Sequence, residues 1–247
     1  MPVGADMKSA VTALLDRLFE HRFPAHPVFD GEVRDTALKR VLEKVQRAAG
    51  EPNQRVLIEE PADRRHLGAI AVPLKLGVMS QTHLQLESVW ADHFSREQAR
   101  AGGGAYTVGR LREWIDLPRL MGLQPKFQNL VILAFAAQAD RTLVRNGAPV
   151  QASLERIDDA VELREDPLPD EFAWTKARER ASALFGLTPG EVRKGATVTR
   201  LAADLKAKAS EKRGQLTDLV RGGARRARVR AAFRDHRLLT LASRRPR

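Results

Sequence analysis

Residues 126–146 read KFQNLVILAFAAQADRTLVRN, and the centre of this stretch, LVILAFAA at 130–137, is apolar without interruption. A helix on a protein surface shows apolar residues on one face only, so an uninterrupted run predicts a helix that is buried on all sides. The run is too short to cross a bilayer, which takes about 20 apolar residues. The sequence therefore predicts one long helix over 126–146 in the centre of a folded domain, with Asn146-Gly147 as its C-terminal cap.

The residues on either side of this helix predict a helix-turn-helix followed by a hairpin. Thr107 is a good N-cap for a helix whose apolar stripe is Val108, Leu111 and Ile115. A turn rich in proline and glycine joins that helix to residue 126. Two weakly β-prone segments follow within 148–164. This order is the outline of a winged helix, so residues 105–165 are predicted to form a winged-helix-like segment.

The rest of the chain also reads as mostly α. Residues 1–104 are expected to form a helical domain with one or two short strands, ending at the flexible run Gly102-Gly103-Gly104. Residues 166–220 are expected to be a helical segment, and 221–247 an Arg-rich, flexible tail. Within these regions the periodicity predicts helices over 8–22, 61–72, 170–187 and 199–220, and strands near 55–59 and 82–86.

Charge is distributed unevenly along the 247 residues. The chain has 42 Lys and Arg against 31 Asp and Glu, a formal net charge of +11. Residues 191–247 alone hold 17 basic and 5 acidic side chains, so the remainder is nearly neutral. The balance indicates a neutral body with a basic end. The absence of cysteine excludes disulfides and thiolate nucleophiles and, with no signal peptide visible, favours the cytoplasm.

The sequence lacks the motifs of the common enzyme classes. No G-x-x-x-x-G-K-[ST] phosphate loop, G-x-S-x-G elbow or H-E-x-x-H zinc motif occurs. The six histidines are not spaced as metal ligands on one helical face, so structural or surface roles are the simpler interpretation. We therefore expect no catalytic residues, no cofactor and no metal, and an enzyme of unfamiliar type is the least favoured hypothesis.

Several arginines are candidates for contact with nucleic acid. Guanidinium groups neutralise phosphates and give salt-dependent binding without sequence preference. A solvated tail, or an unselected stretch of translation, is the alternative interpretation of the basic end. The candidates are Arg225, Arg226, Arg228, Arg230 and Arg234 in that end, and Arg141 and Arg145 in the predicted helix over 126–146.

Three stretches resemble a known family. They are LLDRLFEHRFPAHPVFD at 14–30, TVGRLREWIDLPRLMGLQPKFQNLVILAFAAQADRTLVRNGAPV at 107–150, and WTKARERASALFGL at 174–187. All three look like the C-terminal part of the large PglY-type ATPases of Pgl/BREX bacteriophage-resistance systems. In that family the nucleotide-binding motor lies N-terminal to this region, and no position in this sequence matches its motif. The resemblance implies a phage-defence context and protein or DNA partners. Together with the missing catalytic motifs, it favours a non-enzymatic interaction module that contacts other defence-system proteins and DNA; the short apolar run predicts no membrane contact.

A free-standing winged-helix regulator that binds DNA is the alternative function. It would need a polar, basic face along the helix predicted over 126–146. Lys126, Arg141 and Arg145 are available for such a face. Asp140 and the apolar centre argue against deep insertion into a DNA groove.

Overall fold

The computed structural model describes residues 6–165, 167–195 and 197–213. This part of the chain is mostly helical, as the sequence predicts, with two small antiparallel sheets. Residues 197–213 are helical as well and are called α8. The other elements are α1 Met7–Arg22, α2 Asp35–Gly50, β1 Arg55–Leu57, α3 Pro61–His66 with a π-helical turn Leu67–Ala71 directly after it, β2 Gly77–Met79, β3 His83–Leu86, α4 Val89–Arg100, β4 Tyr106–Thr107, α5 Val108–Ile115, α6 Pro125–Gln138, β5 Arg141–Arg145, β6 Ala148–Pro149, β7 Glu162–Glu165 and α7 Glu171–Phe185.

The chain divides into two compact units. The first contains the described residues up to Asp170 together with 190–198, and the second contains 171–189 and 199–213. In the first unit, the backbone N–H of Gly195 donates to both carboxylate oxygens of Asp140 at 2.7 and 2.8 Å. The Lys194 ammonium donates to the carbonyl of Ala49. These contacts hold 190–198 on the first unit. The predicted domain boundaries at 104, 165 and 220 stay predictions.

Helix α6 is the centre of the first unit. It packs against α2, α4 and α5, and every residue from Asn129 to Ala136 is buried. Proline at its first turn fits a helix start, because the missing N–H is not needed there. The prediction of a centrally buried apolar helix is confirmed.

The prediction that this helix continues to residue 146 is wrong. The helix ends at Gln138, and Asp140 takes a positive φ of 53° that turns the chain into β5. Strand β5 contains Thr142 and Val144, whose β-branched side chains favour extended backbone. Asn146-Gly147, with φ of 50° and 82°, forms the two-residue turn between β5 and β6, not a helix cap. Of the two β-prone segments predicted within 148–164, the first, at 150–154, is not a strand, because the chain leaves β6 at Pro149. The second, at 160–163, is shifted by two residues to β7.

The two sheets share one strand order. In the first, β3 lies between β1 and β2; in the second, β7 lies between β4 and β5, and β6 extends the edge. Apart from the short edge strand β6, each sheet therefore places the first, third and second of its strands side by side, all antiparallel. A helix precedes each set, α2 before β1 and α4 before β4. The two halves of the first unit thus repeat one arrangement of strands.

The hydrophobic core continues from one half to the other. It contains Leu38 and Val41 of α2, Phe94 of α4, and Leu130 and Phe135 of α6. The glycine run 102–104, with φ between 76° and 99°, forms a surface connection between α4 and β4. The side chain of Gln98 donates to the carbonyl of Gly104 at 2.6 Å, which fixes one end of this connection to α4.

Candidate functional site

A small cleft opens on the surface of the first unit, where α4 faces the loop that joins α5 to α6. Its volume is about 200 Å³. The turn before β2 and the segment after α1 complete its walls. The residues that line it are Ala25, Lys75, Val89, Trp90, His93, Arg96, Ile115, Leu117, Pro118, Arg119 and Met121.

Three cations surround this cleft. Lys75, Arg96 and Arg119 are all exposed, and no aspartate or glutamate lines the cavity with them. No ion pair or hydrogen bond joins any of the three side chains to another residue within 6–165, 167–195 and 197–213. Most arginines elsewhere in the first unit have an acidic or carbonyl partner, such as Arg141 with Glu165 and Arg145 with Asp158. The three cations of the cleft are therefore available to an anion.

The floor of the cleft is apolar and rigidly held. Trp90 is 6% exposed, and its indole N–H donates to the carbonyl of Leu74 at 2.7 Å. A ring nitrogen of His93 lies 2.7 Å from the carbonyl oxygen of Trp114, so this nitrogen carries the proton and donates. The Trp90 N–H and this N–H of His93 are thus satisfied within the protein, and the apolar surface left open to a ligand is mainly aliphatic.

The loop after α5 owes its shape to a carboxylate and a glycine. Asp116 Oδ1 accepts hydrogen bonds from the backbone N–H groups of Met121 and Gly122, at 2.8 and 3.0 Å. Gly122 has a φ of 59°, and a Cβ at this position would lie 2.3 Å from the ring of Phe23. Only glycine allows this approach of the segment after α1. The peptide Leu117-Pro118, at the rim of the cleft, is cis.

The segment after α1 closes one side of the cleft. The backbone N–H of Ala25 donates to the carbonyl of Leu120 at 3.2 Å, and a ring nitrogen of His26 lies 2.7 Å from the carbonyl oxygen of Met121. The ring of Phe19 packs against the ring of His26 with 4.8 Å between centroids. This segment therefore connects the end of α1 to the cleft wall.

Helix α1 carries an apolar stripe that faces solvent. Five of its large apolar residues recur at the spacing of one helical face, and each of these five is between 43% and 64% exposed. None of the residues of α1 is buried. A capping box between Asp6 and Ser9 starts the helix, with the backbone N–H of Ser9 donating to the Asp6 carboxylate at 2.7 Å. We call this surface the α1 stripe; it consists of Val11, Leu14, Leu15, Leu18 and Phe19.

The two described arginines predicted to contact nucleic acid both lie on β5. The Arg141 guanidinium pairs with Glu165 at 2.5 Å and stacks over the ring of Tyr106, 4.4 Å from its centroid. Arg145 is half exposed and pairs with Asp158 at 3.1 Å. The structure does not bring them to the cleft. The other five candidates, Arg225, Arg226, Arg228, Arg230 and Arg234, lie outside the described residues.

Sequence reasoning missed the cleft because its cations are far apart in the chain. Lys75 follows the helical turn at 67–71, Arg96 lies on α4, and Arg119 lies in the loop after α5. No spacing rule relates these positions. A loop with proline, arginine and glycine between two predicted helices was the only local signal, and it indicates a turn more readily than a binding site.

The described residues contain neither a candidate metal site nor a candidate membrane span. No group of three or more His, Cys, Asp or Glu side chains there is placed to hold a metal ion. No helix there is both long and apolar enough to span a membrane.

Comparison with known proteins gives two family matches. Residues 36–136 match the family described as the fifth domain of the BREX system ATPase PglY protein. Residues 178–244 match the sixth domain of the same protein. The two matches are in the same order as their numbers and together cover about two thirds of the chain. The first match contains the cleft residues Lys75, Arg96 and Arg119, whereas the α1 stripe precedes it. No solved structure matches the chain.

Proposed function

We propose that this chain, which belongs to the PglY proteins of BREX phage-resistance systems, is a non-enzymatic interaction module that contacts other proteins of the system and, at its basic end, DNA. The matched regions are the fifth and sixth PglY domains and not the ATPase motor. Membership of a multi-protein system implies that partner proteins exist. One surface of the chain should therefore contact these partner proteins.

The observation that carries the proposal is the α1 stripe. Large apolar side chains in register on one exposed helical face are typical of an interaction surface in a soluble protein. Such a helix inserts its apolar face into a groove of a partner, with contacts at positions i, i+3, i+4 and i+7. Val11, Leu14 and Leu18 have this spacing. The occupant we propose is an apolar groove on another protein of the BREX system.

The buried state of α6 favours protein contact over reading of DNA. Along the chain, β4 precedes α5 and α6, and β5 and β7 follow them, with β7 paired between β4 and β5. This order is expected of a winged helix, so 105–165 remains our proposed winged-helix-like segment. In DNA-binding members of this class the second helix lies in the major groove. In this chain α2 packs over α6, and Asn129 to Ala136 are buried. This arrangement argues against the alternative, a winged-helix regulator that reads DNA through α6.

The proposed contact with DNA rests on the charge of the sequence alone. Residues 221–247 contain ten arginines and no lysine. Arginines at this density neutralise several phosphates and bind without sequence preference. Arg225, Arg226, Arg228, Arg230 and Arg234 are the proposed contacts there. Arg145 is the more accessible of the two candidates on β5, because Arg141 is held by Glu165 and Tyr106.

Copurification tests the proposed function. The tagged chain is expressed with the remaining proteins of a BREX system, and the proteins retained with it are identified. Leu14→Ser with Leu18→Ser should abolish retention of at least one BREX protein without lowering thermal stability, because neither side chain is buried. Arg17→Ser with Glu20→Ser, on the other side of α1, is the matched control. Unchanged retention of every partner by the leucine double variant would reject the α1 stripe as the contact surface.

A further inference from the structure

We infer that the cleft between α4 and the loop after α5 binds a short acidic protein segment that inserts one bulky apolar or aromatic side chain. The inference rests on the proposed function in one respect, that the chain works by contacting proteins. It concerns a different surface from the α1 stripe and a different type of contact.

The charges of the cleft select an acidic ligand. Lys75, Arg96 and Arg119 line one small cavity without a carboxylate among them and without an intramolecular partner in the described part of the chain. Like charges that share a cavity repel each other, and an anion between them removes that cost. Complementary charge across an interface also speeds association and excludes wrong partners. Carboxylates on both sides of an inserted side chain would bring the negative charge that these cations lack.

The size and the walls of the cleft select a single apolar side chain. The volume of about 200 Å³ is below the roughly 300–1,000 Å³ of typical small-molecule sites. It is comparable to one large side chain. The walls are aliphatic, and Leu117 and Val89 extend them as exposed apolar residues at the rim. A desolvated pocket filled by one aromatic anchor is the usual centre of a protein interface.

The same features disfavour a nucleic acid as the ligand. Proteins that bind single strands stack successive bases on exposed aromatic rings. The only aromatic rings in the lining are those of Trp90 and His93. The Trp90 ring is 6% exposed and packs against the rings of His93 and Phe94, with centroids at 5.8 and 5.4 Å. No aromatic face in the lining is thus free to stack a base.

A labelled peptide tests the inference on the full chain. The probe is fluorescein-Glu-Asp-Glu-Trp-Glu-Asp-Glu, measured by fluorescence anisotropy. We expect saturable binding that weakens as salt rises, because the charges are exposed and therefore screened. Replacing the tryptophan of the probe by alanine should weaken binding about tenfold, as for loss of an interface anchor. Equal binding of the alanine peptide would contradict an apolar anchor in the cleft.

Two variants of the chain locate the binding site. Arg96→Glu with Arg119→Glu should weaken binding of the peptide at least about tenfold, whereas Arg65→Glu, an exposed arginine on α3, should not. Val89→Trp should also weaken binding, because it fills the cavity without changing its charge. All of these positions are exposed, so unchanged thermal melting is expected for each variant. Unchanged affinity of both cleft variants would overturn the inference.

The same assay distinguishes an acidic peptide from a nucleic acid as the ligand, and it tests the cleft separately from the proposed function. A single-stranded oligonucleotide is tested as a competitor of the peptide. If it displaces the peptide and its own binding requires Arg96 and Arg119, the ligand of the cleft is a nucleic acid and not an acidic peptide. The α1 double leucine variant should bind the peptide normally. Loss of copurification in that variant together with retained peptide binding supports two separate surfaces. Peptide binding that fails in the wild-type chain while copurification persists rejects the cleft alone.

Discussion

Arg112 of α5 and Asn129 of α6 form a hydrogen bond inside the first unit, with 2.8 Å between a guanidinium nitrogen and the amide oxygen. Asn129 is completely buried, and its own N–H₂ donates to the carbonyl of Leu154 at 2.9 Å. Arg112 continues to the carbonyl of Ile157, also at 2.9 Å, and pairs with Asp159. The two residues therefore hold the long connection between β6 and β7 on the helices.

Asn129→Leu should destabilise the chain by about 2–3 kcal/mol. The substitution keeps the shape of the side chain but leaves the carbonyl of Leu154 and part of the Arg112 guanidinium buried without a partner, which carries the cost of their desolvation. Urea unfolding measures the difference. Gln128→Leu, at the neighbouring partly exposed position, is the matched control and should change stability little. A loss below about 1 kcal/mol would mean that water replaces the amide.

Phe135→Ala should lower the free energy of unfolding by about 3–5 kcal/mol, since it opens a cavity in a close-packed core. The Phe135 ring packs edge-on against Phe94 at 4.9 Å between centroids and lies 5.5 Å from Tyr106. Denaturant unfolding is again the measurement. Phe172→Ala is the control, because Phe172 is 74% exposed on α7. Equal effects of the two substitutions would contradict the central position of α6.

Sequence patterns predicted burial better than they predicted where elements end. The run at 130–137 required a buried helix, because no other environment accepts apolar residues on every side. Its end at Gln138 depends on Asp140 entering the left-handed region, and aspartate is only weakly specific for that conformation. Sheet pairing was also beyond reach, since β4 and β7 are short and pair across more than 50 residues. The cleft required the same long-range information.

Asp63→Asn should destabilise the chain by about 1.5–3 kcal/mol at neutral pH, the range for hydrogen bonds to a charged group. Burial of Asp63 acts to raise its pKa, but hydrogen bonds and charge from Lys44 and Arg40, at 3.2 and 3.3 Å, outweigh burial and lower the pKa below its usual value. Because the pKa of Asp63 is lower in the folded chain than in the unfolded chain, its ionised carboxylate stabilises the fold. This stabilisation is complete above the pKa of the unfolded chain, about 3.9, and is lost as pH falls through the pKa of the folded chain.

The pH dependence provides the control for Asp63. The difference in unfolding free energy between the wild type and Asp63→Asn should shrink as pH falls below about 4. Asp16→Asn, at an exposed position of α1, is the control and should change the free energy of unfolding little. If the difference for Asp63 instead stays constant as pH falls well below the unfolded pKa of about 3.9, the ion pairs contribute nothing to stability.

The chain should neither bind nor hydrolyse ATP. Its sequence has no phosphate loop, and the matched regions are not the motor. Isothermal titration calorimetry with ATP and Mg²⁺ is the measurement. Saturable binding at micromolar affinity, lost on substitution of a residue in this chain, would refute the proposal that the module is non-enzymatic.

A chain that ends at Arg221 should keep its thermal midpoint and lose most of its binding to duplex DNA. The removed residues contain nine of the ten arginines at 221–247. Binding by the full chain should fall steeply with salt, because phosphate neutralisation releases counterions. A salt titration and a melting curve on both chains decide the matter. Sequence-selective binding that survives truncation would instead favour 105–165 as the DNA contact, and a large drop in melting temperature would place the basic end in the fold.

The packing of α2 on α6 has a consequence for the protein as it leaves the ribosome. The face of α2 that contains Leu38, Val41 and Val45 is fully covered only once α6, nearly 90 residues later in the chain, has been made. At about 5–20 residues per second, synthesis of that interval takes several seconds. For that time the nascent chain presents an uncovered apolar helix, which is the type of surface that ribosome-associated chaperones shield until its partner emerges.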